Sequence, residues 1–392
     1  MNKVGIIGGG IAGLTCAYRL SQKGINATVF EKEVIFGGRI RFSVLVGGPT
    51  THPISHALIV ELGLEEGKIP LLFSNVGIFG AGQLTKAEEF LKMIPSFPKE
   101  EIAYFQNFSK AVEKFTFNPK KFPATPEEKN LTEISFAEYT KDAPNWLRPI
   151  LGLEYIALNV EDWAKTSASF GFGTQAPLVF FPREEAYGFE ENMEIVANLL
   201  TDKIRKAKSR VLNGVEVRRV EKTKRKFKIY FEKEGREEVE EVEKVVFATP
   251  LTVTQKLFPG LKIESNIYYT KGKCVFVKGR LKPEYDDRKL LFGVPGDPSN
   301  LAVAWTTVPE EHRLYPDDIN KRIDLDIFYQ EYEIIDEQMM DPAGCIAPPG
   351  AKTPDLKTEI EGVYLCGDFY GYAGHIENAV ASGEVVAEMI NL

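Results

Sequence analysis

Hydrophobic and polar positions alternate with two different periods along this chain, and the period changes mark its elements. The β-branched and apolar run Val4 to Ile7 predicts a buried strand, Ala12 to Leu20 a helix of small residues, and Ala27 to Phe30 a second strand. Three glycines, Gly8, Gly10 and Gly13, separate the first strand from the helix with G-x-G-x-x-G spacing. The whole reads as a βαβ unit. Lys86 to about Ser169 carries helical periodicity, as in KAEEFLKMI and EIAYFQNFSKAVEKF, with prolines between segments, and predicts a helical cap. Glu194 to Ala207 predicts a further helix. Period two then takes over: VEVRRV, KFKIYF and EVEEVEKVVFA predict a meander with Gly235 in a turn, and Tyr268 to Val277, Leu290 to Val294 and Leu301 to Thr306 predict strands of a second sheet. Ile69 to Thr85 reads as a hairpin, and Gly362 to Ile390 as a strand, a Gly-Asp turn, a loop and a helix starting near Ile376.

The glycine spacing brings chemistry. Gly8 permits a tight turn, Gly10 close approach of backbone to a pyrophosphate, and Gly13 packing of helix on strand, while the helix N-terminus presents free N–H groups. Glu31, closing the second strand, stands where an acid bonds a ribose hydroxyl. These features alone suit NAD and FAD equally. Gly37-Gly38-Arg39 implies a second loop reaching the pyrophosphate, with Arg39 as its cation, and Asp368 at a strand end offers an acceptor for ligand hydroxyls. Both favour a longer dinucleotide.

Composition narrows the class. The chain has 392 residues, 44% hydrophobic and 27% charged, with a formal net charge of −8. That length suits about two domains, and the negative charge argues against nucleic acid. Four cysteines without a C-x-x-C pair and an early nucleotide fold, with no signal peptide ahead of it, predict a cytoplasmic protein. No apolar run is long enough to span a membrane, and peripheral membrane contact stays open. The charge run Arg218 to Lys244 reads as a solvated sheet face because Phe227, Ile229 and Phe231 alternate with lysines. His52 and His56 have helical metal spacing, but Pro53 suits a first helical turn and no other ligand stands nearby, so no metal site is expected.

The fingerprint with Glu31, the Gly37-Gly38-Arg39 signature, VVFATPL at Val245 to Leu251, and Gly367-Asp368 followed by IENAVASG occur in one order. In that order they resemble the FAD-dependent amine oxidase, phytoene desaturase and protoporphyrinogen oxidase superfamily. The resemblance implies an α/β fold: a discontinuous Rossmann-like FAD-binding domain of the glutathione-reductase type, residues 1–80, 190–256 and 356–392. A substrate domain with its helical cap would occupy 81–189 and 257–355. It implies FAD contacts at Gly8, Gly10, Ile11, Ala12, Gly13, Glu31, Lys32, Gly38, Arg39, Val217, Gly367, Asp368 and Ile376, with the backbone of Val217 at the adenine. The usual terminal Glu-Gly-Ala is here Glu377-Asn378-Ala379, which questions close backbone approach at Asn378. Lys273, in TKGKCVFVKGRL, resembles the strand lysine that holds a water at flavin N5 in amine oxidases, and His375 stands where many of them place an aromatic cage wall. Cys345 lies loosely where some carry a cysteinyl flavin link. The implied activity is that of a flavoprotein oxidoreductase taking a hydride from a C–H bond of a hydrophobic or amine substrate and passing electrons to oxygen or a quinone. The alternatives are a redox-neutral flavin isomerase and an escort-type binding protein that uses the same fold without flavin.

Overall fold

The computed structural model describes residues 3–43, 46–157, 160, 162–180, 186–286, 289–308 and 310–390. Five short strands form an all-parallel sheet in the order Val363–Leu365, Lys244–Phe247, Lys3–Ile7, Asn26–Phe30 and Arg210–Leu212. The inner strands are buried along nearly their whole length because helices or further strands cover both faces. The helix Ile11–Gln22 links the first two strands in sequence and packs on the helix Ile376–Met389. Gly383 makes that approach: a Cβ there would lie 2.4 Å from the carbonyl oxygen of Ala12.

EVEEVEKVVFA, expected as one strand, divides into two. Arg236–Val242 joins Val215–Lys222 and Phe227–Lys233 in an antiparallel sheet, whereas Lys244–Phe247 enters the parallel one. The break falls where alternation gives way to the continuous apolar run KVVF, and Glu243 donates its N–H to Lys3 O. Phe227, Ile229 and Phe231 are buried, while Arg218 pairs with Glu232 and Arg219 with Glu221 on the outer face, so the charge run is a solvated sheet face.

The second large sheet has seven strands: Tyr329–Met340, Gly272–Leu281, Glu311–Pro316, Leu301–Val308, Leu290–Gly293, Val76–Gly80 and Gln83–Lys86. Only the latter part of the expected 69–85 hairpin forms one, turning at Ala81 and Gly82; Ile69–Pro70 pairs instead with Tyr187–Gly188. The Val76–Gly80 strand therefore lies in this sheet, and the expected boundary after residue 80 cuts through its hairpin. Tyr268–Val277 also divides, since Tyr268–Tyr269 pairs with Cys345–Ile346 before Gly272–Leu281 begins.

The helices Ala87–Met93, Lys99–Glu113, Pro126–Glu133, Phe136–Tyr139, Leu147–Ala157 and Ala168–Phe180 form the cap over this sheet. Their amphipathic faces meet in an aromatic cluster that buries Phe108, Phe115, Phe136 and Phe172. Among the described residues no helix is long and apolar enough to cross a membrane.

Candidate functional site

Two glycine loops face each other at the carboxyl end of the parallel sheet. Gly8 has φ +109°, and a Cβ there would meet Ala248 O at 2.5 Å. Gly10 caps the helix Ile11–Gln22, with no side chain closing its N-terminus. From the other loop, Gly37 donates its N–H to Gly9 O at 2.8 Å, and Gly38, φ +57°, would bring a Cβ to 3.2 Å from the Cα of Gly10. Close apposition of backbone without side chains leaves room for a phosphate group against exposed N–H donors. Glu31 accepts from Gly9 N at 2.6 Å and Glu33 N at 2.9 Å, which fixes its carboxylate at the end of Asn26–Phe30.

Asp368 follows the strand Val363–Leu365 and meets Arg39 in a two-pronged pair: Nη2 donates to Oδ1 at 2.8 Å and Nη1 lies 2.7 Å from Oδ2. Burial opposes the charge on Arg39, and Asp368 outweighs it, so the guanidinium pKa sits above its ordinary value. Cys345 is buried beside this pair; burial, with Asp368 adding to it, holds its thiol well above the ordinary range. It does not line the cavity.

That cavity measures about 1320 Å³. It runs from Glu31, Lys32 and Val217 past the glycine loops and Arg39 to His375 and Ile376. Beyond them it opens into a chamber walled by Phe90, Phe105, Leu147 and Ile150 of the cap and by Leu290, Phe292, Val303 and Trp305 of the seven-stranded sheet. A ligand pocket is ordinarily about 300–1,000 Å³, so one dinucleotide and a second molecule fit together. The glycine cradle, the uncapped helix end and the acid at the strand end suit FAD.

Of the residues expected at the cofactor, Gly8, Gly10, Ile11, Ala12, Glu31, Lys32, Gly38, Arg39, Val217, Gly367, Asp368 and Ile376 line this one cavity. Gly13 does not; a Cβ there would lie 2.1 Å from Gly8 O, so it serves helix–strand packing. Asn378 also turns away, its amide donating to Tyr370 O, which accommodates the departure from glycine behind the site.

Lys273 is not brought to the cavity. Its neighbour Cys274 packs with the cavity-lining Val303 and Tyr315, so alternation places Lys273 on the opposite face of the strand, 2.6 Å from Glu337. His375, by contrast, lines the cavity as the N-cap of Ile376–Met389, with ring centroids 5.8 Å from Phe170 and 5.4 Å from Tyr372. Its Nε2 is buried without a hydrogen bond among the described residues, and burial holds its pKa down to about 4. The imidazole is neutral at pH 7.

Sequence reasoning missed three features. His52, which caps the helix Pro53–Leu62, is a second cavity-lining imidazole, its pKa lowered to about 3 by burial and by His375. His56 points elsewhere, its Nδ1 2.9 Å from Tyr187 Oη, and among the described residues no His/Cys/Asp/Glu group could hold a metal. Glu377 is fully buried and accepts the N–H groups of Ile54 at 2.7 Å and Ser55 at 2.8 Å, closing that same helix from 323 positions away; burial raises its pKa to about 7. Tyr269, whose hydroxyl accepts from Leu251 N at 2.9 Å, also lines the cavity.

A family model described as flavin containing amine oxidoreductase matches residues 11–318. Protoporphyrinogen oxidase 2, chloroplastic/mitochondrial, of Arabidopsis thaliana is 35% identical over 74 residues, a segment spanning 16% of this chain and only 14% of that protein. Solved structures align over the full length at low identity. A CLA-producing fatty acid isomerase from P. acnes gives a TM-score of 0.72 at 13% identity, covering 100% of this chain and 99% of that one. Cyclohexylamine oxidase from Brevibacterium oxydans IH-35A gives 0.68 at 16%, covering 99% and 98%. An oxidoreductase from Methanosarcina mazei gives 0.67 at 15%, covering 98% and 100%.

Proposed function

Since the chain belongs to the flavin containing amine oxidoreductase family and is thus an FAD-dependent oxidoreductase, we propose that it removes a hydride from a C–H bond of an apolar, uncharged substrate. The observation that carries this reading is the chamber wall. Phe90, Phe105, Leu147, Ile150, Leu290, Phe292 and Val303 supply no charge, and the acids on the remaining lining are engaged or remote. Asp368 is held by Arg39, Asp341 by Lys271 at the exposed rim, and Glu31, Glu33 and Glu216 stand at the adenine end. Among the described residues a protonated amine would find no free counter-ion, at a cost of several kcal/mol by the order of magnitude for an unpaired buried charge. An amine substrate is therefore the weaker alternative.

When bound, FAD supplies the two-electron acceptor. The chain's own residues do the rest. Glu31 and Val217 would hold the adenosine end, the paired glycine loops would seat the pyrophosphate, and the helix end at Ile376 would favour negative charge on the reduced flavin. His375, neutral and packed at tilted angles between Phe170 and Tyr372, would form part of the wall beside the flavin without adding charge. The cap excludes water from the reacting bond. In this reading residues 1–80, 190–256 and 356–392 supply most of the cofactor half, with 81–189 and 257–355 enclosing the substrate, and oxygen or a quinone accepts the electrons.

Anaerobic mixing of the oxidised holoenzyme with a panel of amines, a polyene, a porphyrinogen and an unsaturated fatty acid tests the proposal by loss of flavin absorbance. Bleaching by an apolar member is expected. Faster bleaching by a primary amine than by every apolar compound overturns it. Conversion of an unsaturated fatty acid with the flavin left oxidised would mark the redox-neutral isomerase, which the same apolar chamber also accommodates.

A further inference from the structure

Two imidazoles, His52 and His375, line the cavity from the N-cap positions of the helices Pro53–Leu62 and Ile376–Met389. One buried carboxylate brings those caps together: Glu377, two residues past His375, accepts the N–H groups of Ile54 and Ser55, two and three residues past His52. The rings are near enough for His375 to disfavour a proton on His52.

Each ring is set into the wall over a glycine. A Cβ on Gly173 would lie 2.5 Å from His375 Nε2 and 3.2 Å from its Cδ2, so this edge of the ring rests on the helix Ala168–Phe180. Nε2 is buried there without a hydrogen bond. An N–H at that point would have no acceptor, whereas a lone pair faces the Cα–H that stands in place of a Cβ, so the proton belongs on Nδ1, the opposite vertex of the ring. Nδ1 does not cap its own helix. At the other imidazole, a Cβ on Gly47 would lie 2.2 Å from His52 Nδ1, which sits 3.1 Å from Thr51 Oγ1. Each ring thus keeps one nitrogen in the wall. The other, His375 Nδ1 or His52 Nε2, has no hydrogen-bond partner among the described residues. Neighbouring polar groups on the lining are already engaged with the protein: Thr174 Oγ1 donates to Gly171 O and Gln175 Nε2 to Leu151 O.

We propose that His52 and His375 form a polar subsite that hydrogen-bonds a neutral oxygen, carbonyl or hydroxyl, on an otherwise apolar substrate, and so select an oxygenated molecule over a bare hydrocarbon. The inference rests on the reading of an apolar, uncharged substrate and narrows it. The N–H of His375 suits either kind of oxygen, and the two helix N-termini beside the rings favour an electron-rich atom over a cation.

Equilibrium dialysis of the holoenzyme against naphthalene, 2-naphthol, 2-acetylnaphthalene, 2-naphthoate and 2-(aminomethyl)naphthalene tests the assignment. In His375→Leu and in His52→Leu the two neutral oxygen probes are expected to bind roughly five- to tenfold more weakly, as for loss of one hydrogen bond, with naphthalene changed by no more than about twofold. His375→Asn and His52→Gln, whose amide nitrogens can stand where Nδ1 and Nε2 stood, should recover most of the loss. FAD content should match wild type throughout. An equal loss for naphthalene, or no recovery in the amide variants, reduces the pair to packing and overturns the proposal. Release of flavin by both Leu variants overturns it too, assigning the rings to the cofactor, as does tighter binding of 2-naphthoate than of both neutral oxygen probes. Tighter binding of the ammonium probe than of every uncharged one by wild type defeats the underlying reading instead. Should one Leu variant fail to fold, the other, on a separate helix, decides.

Discussion

Arg39 and Asp368, 329 positions apart in sequence, close on each other through two parallel contacts of 2.7 and 2.8 Å and so tie the second glycine loop to the last strand of the parallel sheet. The carboxylate side chain is only 10% exposed and the guanidinium 34%. Removing one partner leaves the other charge poorly solvated. Arg39→Gln alone is expected to destabilise the FAD-free protein by about 1.5–3 kcal/mol, discounted for the partial exposure of the arginine. The double variant Arg39→Gln, Asp368→Asn should lose less than the sum of the singles. Denaturant midpoints of the four proteins measure the coupling, and additive losses would mean that the pair contributes nothing as a pair.

The two glycines flanking Ile11–Ala12 should fail differently. Gly10 has φ −72°, open to any residue, and a Cβ there would find its nearest atom, Gly37 O, at 4.0 Å. Gly10→Ala is expected to fold with a loss of about 1 kcal/mol or less, yet to bind FAD at least about tenfold more weakly because its methyl occupies the phosphate path. Gly13→Ala forces a backbone shift, since its Cβ would lie 2.1 Å from Gly8 O. It should lose both thermal stability and cofactor. Equal FAD retention in the two variants would contradict this division.

Glu377 gives a pH signature. The folded protein keeps a proton on this buried carboxyl up to about pH 7, whereas the ordinary value is 4.5. Between those values the folded state binds more protons than the unfolded chain. Its stability contribution is therefore largest below pH 4.5, declines as pH rises to about 7, and is flat above. Glu377→Gln cannot titrate, and the stability difference between wild type and variant should shift against wild type on the order of 3 kcal/mol from pH 4.5 to 7.5. Urea unfolding of the FAD-free proteins at those two pH values reads this directly; a constant difference would place the carboxyl at its ordinary pKa.

Lys273→Met tests the opposite expectation from the one its sequence neighbourhood suggests. With the ammonium paired to Glu337 on the far face of the strand, reoxidation of photoreduced enzyme by oxygen should change by no more than about twofold, ~0.4 kcal/mol of barrier. A slowing of an order of magnitude in stopped-flow mixing would return this lysine to the flavin.

What the sequence made legible was local. The glycine spacing and Glu31 fall within one βαβ unit, where each residue's task follows from its immediate neighbours, and all but Gly13 of the expected cofactor residues line one cavity. Lys273 was misleading because Thr270 and Lys271 interrupt the strand, so a period counted from Tyr268 does not carry through to Gly272–Leu281. The edge strand Tyr329–Met340 is exposed along most of its length and shows no alternation to detect. Glu377 on Ile54, and His52 near His375, join residues more than 300 positions apart, and no local pattern in one sequence encodes such meetings. The chamber wall was out of reach for the same reason, since cap helices and the seven-stranded sheet each contribute part of it.

The parallel sheet draws its central strand from Lys3–Ile7, its neighbour from Lys244–Phe247 and its edge from Val363–Leu365, and Gly383 then packs against the carbonyl of Ala12. During synthesis, the first βαβ unit must wait through more than three hundred residues of translation before the last strand of its sheet, Val363–Leu365, exists. Loops of that span close slowly, and exposed strand edges invite misassembly meanwhile. The nascent chain thus offers a recognisable phosphate turn long before it offers a complete one. A cavity lined by Gly367, Asp368 and Ile376 is complete only once the last strand and the helix Ile376–Met389 are made and docked.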